Sequence, residues 1–113
     1  GDIHSDHYYV SKASLSASKV FRSPSIKKIF CYETLSETNL NFAKRKKNFN
    51  PNSYFDITNS FQKKLKTLKL YKSELSKHPF PRSIKSVESL SILRGSESGF
   101  KYAEAYEEIF SRL

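Results

Sequence analysis

The 113-residue chain has no methionine and no tryptophan, one cysteine, three glycines and four prolines. So little glycine and proline excludes a collagen-like or low-complexity polypeptide. The lone thiol, Cys31, cannot close an internal disulfide. It lies in the apolar run Ile29-Phe30-Cys31-Tyr32, as a buried core thiol does, and a reducing, cytoplasmic setting is expected. No stretch approaches the ~18 consecutive apolar residues that a membrane helix needs. Gly1-Asp2-Ile3-His4 lacks the basic and apolar regions of a signal peptide. With no initiator methionine either, the chain reads as a trimmed or downstream part of something longer.

What is abundant is positive charge and aromatic surface. Lys and Arg number 20 against 11 Asp and Glu, a formal charge of +9. Hydrophobic residues make up 37%, below the ~45–50% of ordinary globular chains, a figure that also counts glycine. Nine Phe and seven Tyr argue against full disorder, because an unfolded chain would leave them all in water. The length suits one domain or a piece of one.

Hydrophobic spacing predicts a helix over about Tyr8 to Phe21, with Val10, Ala13, Ala17, Val20 and Phe21 on one face and Asp6 as its N-cap. Arg22-Ser23-Pro24-Ser25 ends it, since proline disfavours helical geometry in the preceding residue. Ile26 to Glu33 reads as a strand covered on both faces. Leu35 to Asn52 is a long polar loop carrying Lys44-Arg45-Lys46-Lys47. Tyr54 to Ile57 is a second strand. A helix from Thr58, as N-cap, to Lys77 follows, with Phe61, Leu65, Leu68 and Leu75 inward and Lys72 forced to snorkel. His78-Pro79-Phe80-Pro81 stops that helix. Ser83 caps a third, in which Ile84, Val87, Leu90 and Leu93 recur and Gly95 is the expected stop. Phe100 to Leu113 fits a helix or an extended segment equally. Helix and strand in alternation point to an α/β fold with a parallel sheet, yet two strands alone do not make a stable one.

Chemistry concentrates at the start. His4-Ser5-Asp6-His7 places two imidazoles three residues apart around a carboxylate. One could bind Zn²⁺, which accepts nitrogen and carboxylate donors, while the other donates a proton. Two solvated terminal histidines are the bland alternative. Glu33, ending a strand where α/β clefts open, is the carboxylate best placed to face a ligand. Arg82 and Arg94 either pair with carboxylates inside the fold or line a rim, and Glu104 could hold one of them. His78 before Pro79 suits a helix end.

The order of these features resembles the C-terminal half of the PIG-L/LmbE family of zinc-dependent N-deacetylases. Gly1-Asp2-Ile3-His4-Ser5-Asp6-His7 looks like that family's His-x-Asp-His element, followed by its helix. Phe30-Cys31-Tyr32-Glu33-Thr34 with Ser36 and Thr38 looks like its strand and substrate-side loop. Tyr54-Phe55-Asp56-Ile57, then Lys64-Leu65 and Tyr71-Lys72-Ser73, follow the strand and long helix. His78-Pro79 with Pro81-Arg82-Ser83, Arg94-Gly95-Ser96, Gly99 and Tyr102-Ala103-Glu104-Ala105-Tyr106 are similar to the closing signature. The resemblance spans nearly the whole chain. It implies the C-terminal part of a Rossmann-like, mostly parallel sheet with flanking helices, with residues 1–113 forming one portion of a single domain whose N-terminal half is missing.

The function implied is hydrolysis of an acetamide on an N-acetylglucosamine-type sugar, giving an amine and acetate. By resemblance His7 is a zinc ligand, His4 supports the tetrahedral intermediate and protonates the leaving amine, and Asp6 orients His4. Glu33, Arg82, Arg94 and Glu104 are substrate-side candidates. The family's remaining ligands and its general base lie in an Ala-His-Pro-Asp-Asp-Glu element, and no such run exists here. Catalytic zinc takes about three protein ligands, so the polypeptide alone is expected to be inactive. The partners implied are an N-acetylated sugar or sugar conjugate, the missing N-terminal half and a second copy in a homo-oligomer. Nucleic acid is not expected. Two competing readings are a small basic module binding nucleic acid or anionic surfaces, and a degenerate fragment with a scaffold role or none. The basic run and the helix lysines otherwise serve as solvated surface.

Overall fold

A computed structural model describes residues 4–40 and 49–113, so the Lys44 to Lys47 run lies outside the described residues. The chain is α/β. In order it forms α1 (Ser5–Ala17), β1 (Lys28–Tyr32), β2 (Ser53–Asp56), α2 (Phe61–Leu68), a short 3-10 helix (Lys72–Glu74), α3 (Ile84–Ser98) and β3 (Ala103–Ser111). The strand order is β1-β3-β2. Two compact units are present: Gly1–Pro51 with Tyr106–Leu113, and Asn52–Ala105. None of the described helices is long and apolar enough to cross a membrane.

The sheet corrects the expectation of a mostly parallel arrangement. β3 pairs antiparallel with β1, in a register that sets Tyr32 opposite Tyr106 and Lys28 opposite Ser111, with an irregularity between Ile29 and Phe30. The physical reason lies in the tail, which fitted two periods. Ala103 and Ala105 are buried while Glu104 between them is not, the alternation of a strand. Ile109 and Phe110 then favour extended backbone. Alternation of helices and strands counts elements but says nothing of strand direction, which the central β3 decides.

In the second unit the core is built from Phe61, Leu65, Ala103 and Ala105. Phe61, 1% exposed, stacks on Tyr102 with ring centroids 4.0 Å apart. α2 is much shorter than the predicted Thr58–Lys77 helix. Its N-cap is Ser60, and Thr58 instead donates its backbone N–H to the Asp56 carboxylate at 2.9 Å. Lys72 therefore sits in the separate 3-10 turn, where it is exposed and has no apolar helix face to escape from.

Ser83 caps α3 as expected, accepting the Ser86 N–H at 3.1 Å. Gly95 does not end the helix. Gly99, at φ 79°, takes the left-handed position that glycine adopts without penalty. Gly95 has a different task. A Cβ there would lie 2.6 Å from the Phe100 carbonyl oxygen and 2.8 Å from that of Lys101, so the backbone passes too close for any side chain. α3 accordingly turns Ser91 and Gly95 inward and packs on β2, leaving Ile92 and Leu93 about half exposed.

The first unit is held differently. α1 buries no residue. Its N-cap is His4 rather than Asp6, and its C-cap is Ser18. The Ser23 hydroxyl donates to the Ala17 carbonyl at 2.9 Å, closing the helix before Val20 and Phe21. β1 is fastened by its ladder, by Phe30 edge-on to Tyr106 at 5.9 Å, and by Lys28 with Glu108 at 3.7 Å.

Candidate functional site

His4 has extended backbone and its Nδ1 accepts the Asp6 backbone N–H at 3.2 Å. That bond answers one of the unpaired donors that every helix start carries. With Nδ1 accepting, the proton of the neutral ring resides on Nε2. His7 follows in the first turn, and its ring centroid stands 4.8 Å from that of His4 at an interplanar angle of 35°. His4 as the N-cap and His7 in the first turn thus bring their rings together at the start of the helix. Asp6 adds negative charge at the positive end of α1, where the helix dipole favours it. Its carboxylate accepts from the Ser5 hydroxyl at 3.4 Å. His4, Asp6 and His7 are all exposed.

Glu33 belongs to the same unit. It follows β1 and leads into a tight turn, where the Thr34 N–H donates to the Thr38 hydroxyl at 2.8 Å and the Thr38 N–H returns to the Thr34 carbonyl at 2.9 Å. Ser36 sits at φ 76°, a region costly for a residue with a Cβ. Its N–H is fixed by the Asn39 side chain at 2.8 Å.

Arg82, Arg94 and Glu104 belong to the second unit, and each has an internal partner. Arg94 donates to both carboxylate oxygens of Glu97, at 3.0 and 2.9 Å, and the Tyr54 hydroxyl donates to the same carboxylate at 3.2 Å. Arg82 bridges Glu74 at 2.8 Å. Glu104 holds Lys64 at 2.7 Å, a lysine where an arginine was anticipated. Beside this pair opens a groove of about 440 Å³, walled by Ile57, Ser60, Lys63, Leu68 and Tyr71.

Sequence reasoning passed over Asp56. The Thr58 hydroxyl first, and then the Thr58 N–H, hold its carboxyl below the ordinary value of 3.8. An Asp-x-Thr after a strand is the pattern of such a local turn and could have announced it. Likewise unheralded was the Lys64–Glu104 pair, whose members are forty residues apart.

No group of three or more His, Cys, Asp or Glu among the described residues is arranged to hold a metal ion. The imidazoles of His4 and His7 are suitable donors by type but fall short of the three or so a catalytic zinc takes. Compared with known proteins, the chain matches no family model, no curated protein and no solved structure.

Proposed function

We propose that this chain is the C-terminal portion of a metal-dependent N-deacetylase of the PIG-L/LmbE type, acting on an N-acetylated amino sugar or its conjugate. The observation that carries the reading is the pair of imidazoles facing one another at the start of α1, within a motif order that resembles the family from end to end. The sheet is completed by upstream strands, and the ion is held by upstream donors together with His7. The residues present do not hold a metal by themselves.

His4 is the proton-carrying group. As an imidazolium, with an N–H on both ring nitrogens, His4 offsets the negative charge of a tetrahedral intermediate and then passes one proton to the leaving amine, returning to the neutral ring. Asp6 holds the neutral imidazole through its backbone N–H, and its carboxylate adds a negative charge that favours the imidazolium once that bond is given up. Glu33, between β1 and the turn that holds Ser36, is the candidate for hydroxyl groups of the sugar.

The cheapest test is the coding sequence upstream, expected to encode a strand ending in an Ala-His-Pro-Asp-Asp-like turn. The decisive one is acetate release from an N-acetylglucosaminyl substrate by the chain alone and joined to its upstream half. The joined protein should be active, should lose activity in His7→Ala with loss of bound metal, and should lose turnover in His4→Ala with metal retained. An isolated chain that binds zinc tightly and turns over substrate overturns the reading, as does a joined protein with no activity.

A further inference from the structure

Two large apolar side chains stand out of the second unit side by side. Leu70 is 77% exposed and Tyr71 is 60% exposed. They occupy the turn that closes α2, which is secured by its backbone. The Leu70 N–H donates to the Thr67 carbonyl and the Tyr71 N–H to the Leu68 carbonyl, both at 3.0 Å. The exposure is therefore built in rather than the result of a loose end.

Around this tip positive charge predominates. Residues 61–77 contain six lysines and one glutamate. The glutamate, Glu74, is bridged by Arg82 at 2.8 Å, and Lys64 is taken by Glu104. Lys63, Lys66, Lys69, Lys72 and Lys77 are exposed. Phe61 and Leu65 commit one face of α2 to the core, and with about 100° per residue Lys63, Lys66 and the following Leu70 fall on the opposite face. An apolar tip ringed by ammonium groups is complementary to one kind of surface, a layer of negative headgroups over hydrocarbon. Lysines contact the headgroups on their flexible stems, a tyrosine settles at the interface, and a leucine sinks below it. Nucleic acid would use the lysines but has no use for Leu70, which lacks a π-face on which a base could stack.

We propose that the tip of α2, Leu70 and Tyr71 with Lys63, Lys66, Lys69 and Lys72, is a docking site for an anionic lipid surface. The site stands independently of the deacetylase reading, since it uses none of the residues placed in that chemistry.

The test is co-sedimentation of the 113-residue chain with vesicles of phosphatidylcholine alone and of phosphatidylcholine mixed with phosphatidylserine. Binding is expected only to the mixed vesicles and should weaken as salt is raised. Leu70→Ser with Tyr71→Ser should weaken it by about ten-fold or more, the effect of removing buried apolar area. Lys66→Glu with Lys69→Glu should abolish it. Because these side chains are exposed, far-ultraviolet dichroism and the unfolding midpoint should match the parent in both variants. Equal binding to both vesicles overturns the proposal, and so does full retention in the Leu70/Tyr71 variant. Binding to duplex DNA that exceeds vesicle binding and ignores Leu70 would reassign the lysines to nucleic acid. A dimer that dissociates in the Leu70/Tyr71 variant would reassign the tip to self-association.

Discussion

The two units divide the work of folding unequally. Every fully buried side chain among the described residues, from Phe61 to Ala105, lies in Asn52–Ala105. The other unit holds the His4-Ser5-Asp6-His7 element and yet its helix buries nothing, with Tyr9 and Val10 about two-thirds exposed. One region has a core and surface ion pairs. The other has the reactive side chains, held by a helix cap, a strand ladder and a few local bonds. Hydrophobic burial dominates stability, so the second unit should unfold as a cooperative body while α1 opens at little cost.

The sharpest way to break that contrast is Phe61→Ala. Removing a fully buried aromatic costs about 3–5 kcal/mol, and urea unfolding followed by tyrosine fluorescence should show the loss in the second unit. A cost under ~1 kcal/mol would mean the core lies elsewhere. Gly95→Ala comes next. Its Cβ would meet backbone carbonyls that cannot swing aside, so it should destabilise by about 1–3 kcal/mol although alanine is the better helix former. A variant as stable as the parent would disprove the close approach.

A smaller effect concerns acid. The lowered Asp56 carboxyl binds its proton more weakly folded than unfolded, so its contribution is present above the ordinary value of 3.8 and is lost as pH falls through the lower folded value. Asp56→Asn should flatten that acid limb in a pH series of unfolding midpoints, and an unchanged limb would remove Asp56 from the account. The smallest expected effect on the second unit comes from the other one. Ala13→Pro should break α1 and remove the little amide protection it has, while the second unit's midpoint stays put. A shift there would show that α1 is coupled to the core after all.

Several elements were legible in the residue order. Ser83 announced the start of α3, and β2 emerged within a residue of its predicted place, because caps and short β-prone runs act locally. The helix at the His4 element was also visible, although the cap fell to His4 rather than Asp6. Others were not legible. The recurring Ile84, Val87, Leu90 and Leu93 suggested the buried face of α3, but its buried residues are Ser91 and Gly95, and at Gly95 only a residue without a side chain admits a backbone that close. For the candidate site, the proximity of the two imidazoles followed from spacing. The partner of Glu104 did not, because Lys64 and Glu104 meet only once α2 and β3 are assembled, whereas Arg94 and Glu97 pair three residues apart on one helix.

Composition and spacing alone determined that the chain is α/β, strongly basic, free of internal disulfides and equipped with two histidines where the chain enters its first helix. These are properties of short windows and of residue counts. Tertiary structure decided the direction of the strands, the role of the tail as the central one, the inward face of α3 and the pairing of Lys64 with Glu104. Each of those depends on which distant segment lies alongside, and the contact energies that choose between segments are not written in any window of the sequence.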